Sequence, residues 1–422
     1  MDYRQAVEFV ESSSIVRERY GLEKLQQALH LLGDPHHHTE FVHIAGTNGK
    51  GSTAAMTASV LQTAGYRTGL YTSPHLMRYN ERMQIDGVPI SDEDFVEAAS
   101  QVQRVCEQLG GVPIVFEVLT LMALWYFAQQ RCDIVVLEVG IGGLLDSTNV
   151  IPSPKVAIIT QLGMDHTETL GNTLEEIAAQ KGGIVKEGTP TVMALQEPSA
   201  VAVVQQICDK HHAPLALADP ERLRVLDASV ASQTLEDREY GKLMLPLAGA
   251  HQRKNAANVL EAVAMLRTQG YRISDDDVRE GIAKTVWPAR FERLSTAPDF
   301  ILDGGHNPQC LHAATAALRE YYPGQKVVFL VGMMADKDTD HMLAEMASIA
   351  KSFVCIRPDS PRAMQPQLLA QQLTERFHLP ACACGSVREG IAEATRQAGK
   401  EGVVCALGSL YLAGEVRAAF GR

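Results

Sequence analysis

The sequence predicts an α/β protein of two domains, each an open, mostly parallel sheet covered by helices. Short apolar runs alternate with helix-period segments along most of the chain, the order that yields parallel strands buried on both faces. Glycine turns, single carboxylates and histidines follow directly after those runs, at the carboxyl ends of strands, where open α/β sheets bind ligands. The alternation gives way to a polar, strand-like stretch at 222–247 and starts afresh at Phe300. A length of 422 residues suits two or three domains. Ser295-Thr296-Ala297-Pro298 reads as linker, so the expected domains are 1–294 and 295–422.

Composition narrows the function classes. Hydrophobic residues make up 46% and charged residues 21%, ordinary for a soluble globular protein. A net charge of −12 argues against a general binder of nucleic acid or anionic membrane. Met1 to Gln5 has no apolar signal-peptide character, and the apolar stretch Val118 to Ala128 is too short to span a bilayer. A cytoplasmic protein is expected. The eight cysteines lie scattered in apolar segments and read as reduced core thiols; only Cys382 and Cys384 are close in sequence.

The first 32 residues read as two helices, the second carrying Leu22, Leu25, Leu29 and Leu32 at helical spacing. Asp34-Pro35 ends it. His36-His37-His38 reads as an exposed loop rather than a metal site, because consecutive side chains rarely converge on one ion. Phe41 to Ala45 is a buried strand and Thr53 to Ala64 a helix. Between them lie Gly46, Thr47, Asn48, Gly49, Lys50, Gly51 and Ser52. A strand, a glycine-rich turn and a helix form a phosphate cradle: glycines let the backbone approach, and the helix N-terminus offers N–H groups and a positive dipole end. Lys50 would pair with the terminal phosphates and Ser52 or Thr53 would reach a metal. Gly51 intervenes before the hydroxyl, so the G-x-x-x-x-G-K-[ST] spacing is not met.

Arg67 to Tyr71 is a strand ending in Thr72-Ser73-Pro74-His75. Arg82 to Ile90 reads as a hairpin about Asp86-Gly87, and Ser91 with Asp94 as a capping box for a helix over 92–109. A helix over 117–130 precedes the strand Asp133 to Val139, whose one carboxylate is Glu138. Lys155 to Thr160 is a strand ending near Asp165-His166, and a helix over 173–181 ends in Lys181. His251 opens a helix to Thr268. In the second domain, Phe300 to Asp303 is a strand and Gly304-Gly305-His306-Asn307-Pro308 a turn into a helix. Further strands at 326–331, 352–356 and 402–407 follow, the last leading into Gly408-Ser409.

Each polar residue has two readings on chemistry alone. Glu138 is a magnesium ligand in the position of a Walker-B acid, or a solvated strand end. Ser73 offers a hydroxyl ligand. His166 is a structural or proton-handling histidine, since hard cations prefer oxygen. Lys181 complements a helix dipole. Asp303 and His306 flank a glycine turn, and Arg290 either reaches a phosphate or is a lone surface arginine.

Together these residues resemble the Mur ligase superfamily, and within it the folylpolyglutamate synthase/dihydrofolate synthase branch. The motifs are Ala45-Gly46-Thr47-Asn48-Gly49-Lys50-Gly51-Ser52, Tyr71-Thr72-Ser73-Pro74-His75-Leu76, Leu137-Glu138-Val139-Gly140-Ile141-Gly142-Gly143 and Asp165-His166-Thr167. His251-Gln252 with Asn255-Ala256-Ala257, Ala289-Arg290-Phe291-Glu292, Asp303 to Pro308 and Gly408-Ser409-Leu410-Tyr411-Leu412 follow in family order. The resemblance implies a P-loop-type, mostly parallel N-terminal domain and a smaller Rossmann-like α/β C-terminal domain. It implies ATP held by Gly46 to Ser52, Asn255, Arg290 and Asp303, and Mg²⁺ held by Ser73, Glu138 and His166. Lys50, Lys181 and His306 take catalytic roles, with Lys181 at the position of a carbamylated lysine. Leu145, Asp146, Ser147 and Ser409 would lie toward folate or glutamate.

The implied reaction is ATP-dependent ligation of L-glutamate to the γ-carboxylate of a reduced folate, tetrahydrofolate, through an acyl phosphate. A dihydrofolate synthase adding glutamate to 7,8-dihydropteroate is the alternative. A nucleotide-gated binding protein and a ligase for a cell-wall precursor are the readings from other classes. The implied enzyme is a monomer that closes its two domains on the intermediate to exclude water. One departure stands out. The family's Gly-Gly-Arg-Leu-Asp motif has leucine for arginine here, at Leu144, which removes a charge and hydrogen-bond donors.

Overall fold

A computed structural model describes residues 1–11 and 17–422. Its packing divides the chain into two compact units: Met1–Leu223 with Asp237–Leu243 and Arg253–Thr285, and Arg224–Glu236 with Met244–Gln252 and Val286–Arg422. Among the described residues, no helix is long and apolar enough to cross a membrane.

In the first unit the strands lie in the spatial order Leu215–Ala218, Thr191–Ala194, Val156–Ile159, Glu40–Ala45, Ile134–Glu138, Thr68–Tyr71, Met83–Ile85 and Val88–Pro89. The pairs from Leu215–Ala218 to Thr68–Tyr71 are parallel; the last two are antiparallel. Every residue of Ile134–Glu138 and Val156–Ile159 is buried, which is why these strands are continuous apolar runs rather than alternating ones. Tyr71 and Leu137 face a core with Phe95 and Phe127. By register Ala45, Ala157 and Ile159 lie on the same face and pack in a second cluster with Ala178, Ile184 and Val204.

Local chemistry fixes the element ends. Asp86 (φ 49°) and Gly87 (φ 76°) both take the left-handed conformation that a two-residue hairpin turn requires. The Ser91 hydroxyl accepts from Asp94 N and starts the helix Asp92–Leu109. The two N-terminal helices are Tyr3–Glu11 and Gly21–Leu31; residues 12–16 of that expected pair lie outside the described residues. The helix expected from Thr53 begins at Lys50, because left-handed Gly49 acts as its N-cap. The histidine run is the exposed loop expected only in part: His37 and His38 are exposed. Pro35–His37 forms a 3₁₀ turn, and His36 is buried.

In the second unit the strand order is Glu292–Thr296, Asp299–Leu302, Val403–Leu407, Val327–Val331, Ala350–Cys355 and Ala381–Ala383. The first pair is antiparallel and the rest parallel. Ser295–Pro298 is therefore no linker. It is the end of a strand and the hairpin turn into the next, the same small and polar residues serving a turn. The chain passes between the units at five points, and the last, between Thr285 and Val286, falls earlier than this turn.

Candidate phosphate-binding and ligase site

The glycine loop leaves the carboxyl end of Glu40–Ala45, between the ends of Val156–Ile159 and Ile134–Glu138. Gly46 has φ 150°, and a Cβ there would fall inside the envelope of Thr160 Oγ1. That hydroxyl donates to Asn48 O (2.7 Å), and Thr47 N and Asn48 N both donate to Gln161 O. The loop is thus tied to the neighbouring strand end by main-chain bonds and two threonine hydroxyls, Thr160 and Thr47, the latter donating to Gly163 O (3.1 Å). Gly49 (φ 86°) sits so close to the Asn255 amide that any side chain would collide with it, which places Asn255 against the loop. Gly46→Ala is expected to displace the loop and cut nucleotide affinity at least tenfold, read by calorimetry with ADP, while circular dichroism stays that of the parent.

Two lysines meet on this loop. Lys50 Nζ donates to Gly46 O (3.0 Å) and Thr47 O (3.2 Å), and Lys181 Nζ donates to the same Gly46 carbonyl (2.9 Å). Lys181 is buried, with its pKa pulled down to about 7, first by burial and then by the Lys50 ammonium; Asp165 and Asp146 act the other way. It is therefore partly neutral near pH 7, an uncommon state for a lysine.

Glu138 ends its strand buried, with Oε2 accepting from Ser73 N (2.9 Å). Adjacent parallel strands bring the two together. His166 stands on an exposed turn after Val156–Ile159, with φ 51°, its N–H donating to Asp165 Oδ1. Of the folate-side candidates, Leu145 is exposed, whereas Asp146 and Ser147 are buried. Asp146 clasps its own loop, accepting from Ile141 N (3.0 Å), Thr148 N (3.0 Å) and Thr148 Oγ1 (2.6 Å). Leu144 exposes its side chain and holds position by main chain, its N–H donating to Gln180 O (2.8 Å).

In the second unit, Asp303 is buried and accepts from Phe291 N (2.9 Å) and Gly305 N (2.7 Å). Burial raises its pKa and the Arg290 charge opposes that. Arg290 Nη1 donates to Ala289 O, folding the side chain back on its own turn, and both neighbours, Ala289 (φ 55°) and Phe291 (φ 51°), are left-handed, a strained pair. His306 Nδ1 lies 3.0 Å from Gly304 O. Ser409 is buried as an N-cap, accepting from Tyr411 N and Leu412 N, so its hydroxyl has a structural task besides the one expected. Gly408 N donates to Gly305 O, joining the turns that carry Ser409 and His306. Thr160 and Gln161 are loop supports that sequence reading missed; a hydroxyl at a strand's carboxyl end was the available signal.

Residues 115–266 match the Mur ligase middle domain and residues 289–410 the Mur ligase glutamate ligase domain. The chain is 34% identical over 409 residues to the dihydrofolate synthase/folylpolyglutamate synthase of Bacillus subtilis, covering 94% of each protein. The chain belongs to the folylpolyglutamate synthase/dihydrofolate synthase family of Mur ligases. It is similar, at 34% identity and 99% coverage of this chain and 98% of the relative, to the folylpolyglutamate synthase of Lacticaseibacillus casei. Among solved structures, the Mycobacterium tuberculosis folylpolyglutamate synthase complexed with ADP and AMPPCP superposes with TM-score 0.90 at 32% identity, covering 100% of this chain and 99% of that one. E. coli FolC in complex with DHPP and ADP gives TM-score 0.84 at 28% identity, covering 100% and 98%. It is an ATP-dependent ligase of this family.

Proposed function

We propose that the protein is a folylpolyglutamate synthase that joins L-glutamate to the γ-carboxylate of tetrahydrofolate using ATP. The observation that carries this reading is the convergence of Lys50 and Lys181 on the Gly46 carbonyl, at a helix N-terminus with Asn255 alongside. A carboxylate oxygen of the folate attacks the γ-phosphorus as the bond to ADP breaks, giving an acyl phosphate. The glutamate amine then attacks the acyl carbon, loses its proton and expels phosphate. Lys50 and the loop N–H groups offset charge on the transferring phosphoryl group, and Arg290 and Asp303 serve the nucleotide. His306 and Ser409 serve the glutamate, and Leu145 to Ser147 the folate side.

The donors fit magnesium. A buried carboxylate, Glu138, held beside the Ser73 main chain is an oxygen ligand of the kind a hard cation takes, and His166 completes the proposed set. Bound there, Mg²⁺ would supply positive charge against the phosphates. All eight cysteines are free and five are buried, which supports the cytoplasmic reading; the enzyme is taken as a monomer. The test is phosphate release with tetrahydrofolate or dihydropteroate, each with and without glutamate. Release that ignores both folate and glutamate overturns the proposal. The dual name of the Bacillus subtilis relative favours, as a second reading, a bifunctional enzyme that also takes 7,8-dihydropteroate.

Lys181 is proposed to carry a carbamate. Its neutral amine adds to CO₂, forming an N–C bond and releasing one proton, which leaves an anionic group able to hold a second magnesium. The lowered pKa near 7 favours this, because only the free amine reacts. Protein equilibrated with ¹³C-bicarbonate is expected to show a carbamate carbon resonance that Lys181→Met lacks. An unchanged spectrum in that variant removes the assignment.

A further inference from the structure

The histidine turn ahead of the first sheet strand has a property that its sequence does not suggest. One ring nitrogen each from His36 and His37 and a carboxylate oxygen of Asp34 lie within 4.8 Å of one another. The backbone makes this possible. Asp34 adopts φ 51°, left-handed for a residue with a side chain, and Pro35–His37 then closes a 3₁₀ turn, so neighbouring side chains are folded onto one side. The His36 and His37 rings stand 4.1 Å apart between centroids.

Two further observations point to a ligand. His36 is buried at 5% exposure, and among the described residues its Nδ1 has no hydrogen-bond partner, a cost that an ion bound at that nitrogen would remove. The Asp34 carboxylate is oriented from behind: His30 Nδ1 lies 2.9 Å from Oδ2, as outer partners orient metal-binding side chains. His37 is exposed, so one side of the cluster opens to solvent.

We propose that Asp34, His36 and His37 form a binding site for a divalent transition-metal ion such as Zn²⁺, separate from the phosphate loop. Two imidazoles and one carboxylate suit borderline ions and leave a position for water. A tetrahedral ion with bonds of ~2.1 Å sets its donors ~3.4 Å apart, so side-chain rotation from the present spacing closes the set. Magnesium prefers all-oxygen ligands and is not the expected occupant.

The test uses the full chain freed of metal by chelation, titrated with Co²⁺ in excess Mg²⁺ and followed by visible absorption and calorimetry. One Co²⁺ per chain is expected, with a visible ligand-field spectrum and no intense thiolate charge-transfer band. His37→Ala and Asp34→Asn are each expected to weaken binding at least tenfold; both keep the fold, since His37 is exposed and asparagine tolerates the left-handed backbone. No binding, a thiolate band that places the ion on cysteine, or unchanged affinity in both variants overturns the proposal.

Discussion

Lys50→Ala is expected to lower ATP-dependent glutamate ligation by about 10²–10³-fold with little change in thermal midpoint. The reasoning runs from position. Lys50 is the first residue of its helix, and its ammonium is satisfied by the carbonyls of Gly46 and Thr47. In the proposed cradle this ammonium, released from those carbonyls, would turn to a terminal phosphate. Removing the ammonium withdraws positive charge from the transferring group while alanine keeps helix propensity, so catalysis falls and the fold persists. Steady-state phosphate release and a thermal melt measure the two effects. A variant that still ligates at the parent rate means the loop has another role.

Glu138→Gln is expected to cost a similar factor, about 10²–10³-fold, and to raise the Mg²⁺ concentration needed for half-maximal rate. The exchange is nearly isosteric. The amide oxygen can still accept from Ser73 N, so the bond that joins the two strand ends survives. What disappears is a buried negative charge at the end of an apolar strand, which without a cation partner would be costly to keep. A Mg²⁺ titration at saturating ATP separates the possibilities. An unaltered magnesium requirement would remove Glu138 from the ligand set.

How far the sequence could be read depended on whether a feature was local or long-range. Ile134–Glu138 and Val156–Ile159 were legible because burial on both faces writes itself as an unbroken apolar run. The loop at Gly46 to Ser52 was legible because close backbone approach demands glycine. Ser295–Pro298 misled because turn and linker share a composition, and only the pairing of Glu292–Thr296 with Asp299–Leu302 separates them. Asp146 and Ser409 drew functional readings from their motifs. Their hydrogen bonds to Ile141, Thr148, Tyr411 and Leu412 show structural work that spacing cannot reveal. The burial of His36 was hidden for the same reason: its surroundings come from elsewhere in the chain.

The shared Gly46 carbonyl has a consequence for timing. An amine poised near neutrality answers to whichever visitor arrives first. A triphosphate would draw Lys181 toward its ammonium form, which cannot combine with CO₂, whereas a carbamate formed earlier would greet the nucleotide as an anion beside Lys50. Under the proposed carbamylation, electrostatics favours modification before nucleotide, and enzyme freed of CO₂ and mixed with ATP before bicarbonate should show a lag that the reverse order abolishes.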